Sequence, residues 1–153
     1  MATDEEKAFL ELVGFISPTA VLSARRAALE YVTGVSAALD GSAGSFFEQC
    51  DFAVAKALCS LCEATASDRT QTLAALTNFT SGSASAAHFI LENSKVVDLA
   101  FTAVTTDVVY ASLAGRLLAN VSRHFPDRFH LKAVARNQNY FKAYLGEIYV
   151  EYH

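Results

Sequence analysis

Three stretches of this chain align with one another: Ala28-Leu29-Glu30-Tyr31-Val32-Thr33, Ala75-Leu76-Thr77-Asn78-Phe79-Thr80 and Leu117-Leu118-Ala119-Asn120-Val121-Ser122. Each has a small or apolar residue, then Leu, any residue, Tyr or Asn, an apolar residue, and Ser or Thr. Tyr31 and Asn78 are 47 positions apart, and Asn78 and Asn120 are 42 apart. The segments between them align too. Val54, Ala57, Leu58 and Leu61 map onto Val97, Ala100, Phe101 and Val104 at a constant offset of 43. Both sets recur at i, i+3, i+4 and i+7, the stripe by which a helix faces a core.

A helical period of about 40–47 residues is that of the armadillo and HEAT repeats. One such unit cannot bury both faces of its helices, so units stack and share a continuous core. The fold expected is therefore all-α, a right-handed armadillo/HEAT-like solenoid of about three repeats, with residues 1–153 forming a single domain. Composition agrees. Apolar residues make up 52% of the chain and charged ones 18%, too hydrophobic for a disordered chain. Two prolines and seven glycines leave room for long helices.

The periodicity places helices from about Asp4 to Phe15, and from a Ser17-Pro18 start to about Ala38. Ser17 is read there as the N-cap and Pro18 as the first helical residue. The run Asp40-Gly41-Ser42-Ala43-Gly44-Ser45 breaks the pattern. Further helices are expected near 45–50, 51–64, 69–81, 84–92, 94–105, 108–124 and 128–150.

Within the repeated motif, Leu and the residue after Asn point inward. Asn follows Leu by two positions, about 200° around the helix, and so faces away. An amide both donates and accepts, so a row of them can hold the backbone of an extended chain. The alternative is that Asn78 and Asn120 satisfy neighbouring helix ends or loops. Arg116 and Arg123 flank Asn120 by about one turn on either side and can share its face. The candidate partner-binding residues are thus Tyr31, Asn78, Arg116, Asn120 and Arg123.

The motif segments also carry a resemblance to a known family. Glu11-Leu12-Val13-Gly14-Phe15-Ile16-Ser17-Pro18, the helix ending Ala28 to Gly34, Asp68 to Asn78, and Gly115 to Arg123 make up the match. Over roughly residues 9–125 the chain resembles the N-terminal part of the eukaryotic armadillo-repeat co-chaperones that assist folding of translation elongation factor 2 (brain-protein-16-like). The resemblance implies a non-enzymatic protein that binds elongation factor 2 and brings it to the cytosolic chaperonin, with no cofactor. The family is longer than this chain, which reads as an N-terminal part or a short form. Tyr31 departs from the Asn of the later repeats. The alternatives are a generic armadillo-type adaptor unrelated to chaperone work, a small helical ligand-binding bundle, and a structural subunit that dimerises. The last would use a broad aromatic face on the final helix: Phe141, Tyr144, Leu145, Ile148, Tyr149 and Tyr152.

Charge and cysteines narrow the field further. Residues 1–76 hold ten acids against five bases, whereas Arg116 to Lys142 holds six bases against Asp127 alone. That stretch is either a solvated face or a patch for an acidic partner. Nucleic acid is not expected, because the net charge is −4 and no binding motif accompanies the bases. The acidic start, Met1 to Lys7, is unlike a signal peptide, no apolar run is long enough to span a membrane, and three cysteines do not make a disulfide framework. A cytoplasmic location, with access to the nucleus, is the expectation. The pair Cys59 and Cys62 lies within an apolar helix and lacks the further ligands of a zinc site, so no metal is expected.

Overall fold

The computed structural model describes residues 2–106 and 108–136, and they are mostly helical, with no strand among them. The expected aromatic face of residues 141–152 lies outside the described residues. Seven helices are bounded among them: α1 (Asp4–Gly14), α2 (Leu22–Ser36), α3 (Ser42–Ala64), α4 (Arg69–Gly82), α5 (Ala84–Asn93), α6 (Val96–Thr106) and α7 (Ala111–His124). A further helix, α8, covers residues 126–136. A 3-10 turn, Ala66–Asp68, leads into α4.

Local chemistry accounts for four of the helix starts. Thr3 and Glu6 form a reciprocal capping box at the start of α1, which three acids in its first turn reinforce. Gly41 precedes α3 at φ 86°, a left-handed conformation that glycine adopts without a Cβ clash. Ser83 caps α5 by accepting from the Ala86 N–H at 3.1 Å. Pro126 opens α8 at the first helical position, one residue after the α7 cap begins.

The fold departs from the periodicity at two places. Helix α2 begins at Leu22, and not at Ser17-Pro18, although the Ser17 side chain does accept from the Thr19 N–H. The cause is Arg25. Its Nη1 donates to the carbonyls of Ser17, Pro18 and Ala20 at 3.2–3.4 Å, holding that segment as a loop whose carbonyls point at the guanidinium. Val104, assigned by periodicity to the core, is 40% exposed, while Val97 and Ala100 of the same stripe are buried. It lies in the last turn of α6, beside Gly115 of α7, which has no side chain to cover it.

The break expected between residues 50 and 51 is present in the backbone. Gln49 is extended and Cys50, Asp51 and Phe52 are all left-handed, with φ of 52°, 57° and 58°. Helix α3 is thus two arms, 42–48 and 53–64, joined by a turn that costs about 1–2 kcal/mol per left-handed residue. Aromatic packing holds the turn. Phe47 meets Phe79 at 4.9 Å between ring centroids, Phe52 stacks on Phe89 at 4.9 Å, and Phe47 and Phe52 meet edge to face at 6.1 Å. Such pairs contribute about 0.5–1.5 kcal/mol each beyond their buried area, a contribution of the same order as the strain.

Helices α2, α4 and α7 pack side by side in that order, with α3 and α5 against α4 and α6 against α7. Large side chains with no exposure run through this arrangement, including Leu29, Leu58, Leu61, Leu76, Ile90 and Leu117. At the α2–α4 end, the buried Arg25 also meets buried Asp68, Nε to Oδ2 at 3.2 Å. The Nε–H is not aligned on that oxygen, so the contact is Coulombic and lacks hydrogen-bond geometry. It joins the α1–α2 loop, α2 and the entry to α4 through one side chain.

Removing one partner of such a pair strands a buried charge. Asp68→Ala is expected to lower unfolding free energy by about 3–5 kcal/mol, read as a drop in the urea midpoint. The paired Arg25→Met/Asp68→Leu variant should recover part of that loss.

Candidate functional site

The five candidate residues divide by what their side chains touch. Asn78 Nδ2 donates to Ser36 Oγ on α2 at 3.1 Å, and Ser36 Oγ in turn donates to the Thr33 carbonyl at 2.6 Å. Asn120 Nδ2 donates to the Thr77 carbonyl on α4 at 3.0 Å and to Thr80 Oγ1 at 3.3 Å. Both amides therefore reach back to the preceding helix of the α2, α4, α7 series. The alternative raised for them, that they satisfy neighbouring helices, describes their donors. Neither is sealed off: each side chain stays half-buried.

Arg123 follows Asn120 onto α4, where its Nη2 donates to the Ser81 carbonyl at 2.9 Å. His124 completes the contact with a ring nitrogen 2.9 Å from the Thr80 carbonyl. The last carbonyls of α4 would otherwise have no helical partner, so Arg123 and His124 of α7 serve as its C-terminal cap, and Asn120 adds a contact one turn earlier. Arg116 is different. It is exposed and makes no hydrogen bond or ion pair among the described residues.

Tyr31, 58% exposed, stands at the Asn position of the motif on α2. It lines a shallow groove with Phe9, Leu12 and Phe46, and a second depression on α2 itself. The structure thus brings Asn120 and Arg123 together on α4, sets Asn78 on α2, and leaves Tyr31 and Arg116 facing solvent on separate helices. Asn78 also lines a cleft of about 640 Å³ with Phe79, Ser83 and Gly44.

The final Ser/Thr of the motif has a structural role that spacing alone did not reveal. Thr33 Oγ1 donates to the Leu29 carbonyl at 2.7 Å, Thr80 Oγ1 to Leu76 at 3.0 Å, and Ser122 Oγ to Ala119 at 2.8 Å. Each hydroxyl satisfies itself on its own helix, and Thr80 is then free to accept from Asn120. Arg25, Asp68 and Ser36 were missed as well. The sole signal for them was the placement of polar residues on otherwise apolar helical faces.

The basic stretch is largely engaged. Arg128 pairs with Glu92 at 2.7 Å, Lys132 donates to the Leu91 carbonyl at 2.8 Å, and Arg136 lies over the Phe101 ring. Among the described residues, no group of three or more His, Cys, Asp or Glu is placed to hold a metal, and no helix is long and apolar enough to cross a membrane. Burial pushes the Cys59 thiol from its ordinary 9.0 up to about 12, and burial raises Cys62 too, while Cys50 is exposed.

Asn120→Ala should cost about 1 kcal/mol, the net value of a hydrogen bond of this kind, seen as a lower melting temperature. In native protein, iodoacetamide should label Cys50 alone, and denaturant should admit labels at all three cysteines, counted by intact mass. The raised Cys59 value has a sign: its stabilising effect is complete below pH 9 and falls as pH rises from 9 towards 12. Comparison with family models, curated proteins and solved structures finds no match to this chain.

Proposed function

We propose that the chain is a protein-binding scaffold, an armadillo/HEAT-like solenoid that acts as an adaptor and carries out no reaction of its own. One observation carries this reading: corresponding asparagines bond to the preceding helix at sequence separations of 42 and 43 residues. That is what a one-dimensional stack requires, since each unit contacts only its neighbours and must satisfy its polar groups there. The contacts of α2 with α4 and of α4 with α7 fit the same pattern. An α-solenoid offers a long ridged surface to an extended partner, and Tyr31 and Arg116 are candidates for contact on it because no intramolecular hydrogen bond or ion pair among the described residues engages either.

The resemblance noted above supplies the client: translation elongation factor 2, delivered to the cytosolic chaperonin in the cytoplasm. The proposed work is then to hold exposed segments of the unfinished factor until the chaperonin takes it. Extended chains suit such a surface because contacts can be distributed along it without reading one sequence.

The test uses purified components. The immobilised chain should retain urea-unfolded elongation factor 2 after dilution, and purified chaperonin should join the complex. Tyr31→Ala/Arg116→Ala, with an unchanged melting temperature, should weaken retention about 5- to 30-fold, as loss of about 1–2 kcal/mol of contact energy implies. A folded parent chain that retains neither protein would sink the co-chaperone reading.

A further inference from the structure

Tyr31 differs from its counterparts in the motif for a reason that suggests what it holds. Asn78 and Asn120 each have a preceding helix of the series to bond to, whereas before α2 stands α1, whose apolar side chains share a groove with Tyr31. One flank of the ring is a groove of about 440 Å³ walled by Phe9 and Leu12 of α1 and Phe46 of α3, with Glu5 on its lining. Phe9 and Phe46 meet edge to face at 5.2 Å, so that wall is firm. The other flank is a shallow depression of about 530 Å³ on α2, lined by Ala27, Gly34 and Glu30. Ala27 and Gly34 are one turn before and after Tyr31, and a Cβ at Gly34 would meet nothing within 4 Å. The ring is therefore accessible, with small neighbours along its own helix.

Each flank carries one carboxylate and no base among its lining residues. Glu5 and Glu30 are exposed, and neither forms an ion pair among the described residues. The nearest bases in sequence are Lys7 and Arg26. Lys7 is two positions from Glu5, about 200° around α1. Arg26 is one turn before Glu30 but not within ion-pair distance of it. An exposed aromatic ring that shares one depression with Glu5 and another with Glu30 is complementary to a planar cation, by the ring's quadrupole and by charge.

We propose that Tyr31, Glu5 and Glu30 form a docking point for an arginine side chain of an extended, basic partner segment, the guanidinium lying over the Tyr31 ring and the two carboxylates flanking it. Arginine suits the site better than lysine, because its planar group stacks on an aromatic face and is the more weakly hydrated. The inference rests on the reading of α2 as part of a docking surface, and it adds the chemistry of what binds there.

The probe is a fluorescein-labelled peptide of alternating Arg and Ser, beside Lys/Ser and Glu/Ser versions, followed by fluorescence anisotropy. The parent should bind the Arg peptide, bind the Lys peptide more weakly, and ignore the Glu peptide. Tyr31→Ala should weaken the Arg peptide about five-fold and remove its advantage over Lys, while Tyr31→Phe keeps both. Glu5→Gln/Glu30→Gln should weaken both cationic peptides, and Asp127→Asn, on α8, should leave them unchanged. No binding by a folded parent overturns the proposal. So does an Arg preference that survives Tyr31→Ala, or equal weakening by Asp127→Asn, which would mean general attraction to an acidic protein. Elongation factor 2 is absent from this assay, so failure of the co-chaperone reading and failure of the arginine site are read separately.

Discussion

Helix α4 is flanked by α2 on one side and α7 on the other, with α3 and α5 packed against it as well, and this enclosure governs the polar chemistry around it. Thr72, Thr77 and Thr80 are buried along with Leu73, Leu76 and Phe79, so the helix has little of the one-sided character of a surface helix. Buried hydroxyls and terminal carbonyls must find partners, because leaving one unmet costs about 1–3 kcal/mol. The hydroxyls of Thr72 and Thr80 turn back onto carbonyls of the α4 region itself. The carbonyls of its last turns take Asn120, Arg123 and His124 from α7. The second and third copies of the motif each set an Asn amide against another helix, Asn78 on α2 and Asn120 on α4.

The other end of α4 is held by charge. Asp68, the residue before the helix, faces Arg25 across a site that water scarcely reaches. Arg25 would be a poor choice for a pair alone, since two desolvated ions seldom return what their burial costs. Its additional contacts change that balance. Three loop carbonyls share Nη1, so one guanidinium shapes the α1–α2 connection as well as docking α2 to α4. The two ends of α4 thus use different means, an ion pair at the entry and guanidinium and imidazole caps at the exit.

What remains exposed is the residue set that these internal tasks do not consume. Asn78, Asn120 and Arg123 each have a donor committed within the chain, and Arg128, Lys132 and Arg136 of α8 are likewise engaged. Tyr31 and Arg116 are the exposed members of the candidate set without such partners among the described residues. They differ in kind, an aromatic ring on α2 that shares depressions with carboxylates and an isolated cation on α7.

For the described residues, the sequence by itself determined that the chain is helical, nearly where most of the helices lie, and that a break falls near residues 50 and 51. Those features depend on interactions within a few residues: the i, i+3, i+4 apolar spacing, the Thr3 and Ser83 caps, glycine at position 41, proline at 126. The motif was legible for the same reason, because its apolar spacing and its Ser/Thr hydroxyls, which bond within their own helix, are local features. Only the tertiary structure decided where the polar side chains go. An amide two positions after a core leucine is equally suited to an outside chain and to the next helix, and the choice between Ser36, Thr77 and solvent depends on how closely helices some 40 residues apart approach. Likewise Ser17-Pro18 has the local form of a helix start, yet Arg25, eight residues later, draws the Ser17 carbonyl out of line. Which partner a polar side chain takes among distant residues depends on how the helices approach one another, so the folded arrangement alone could assign it.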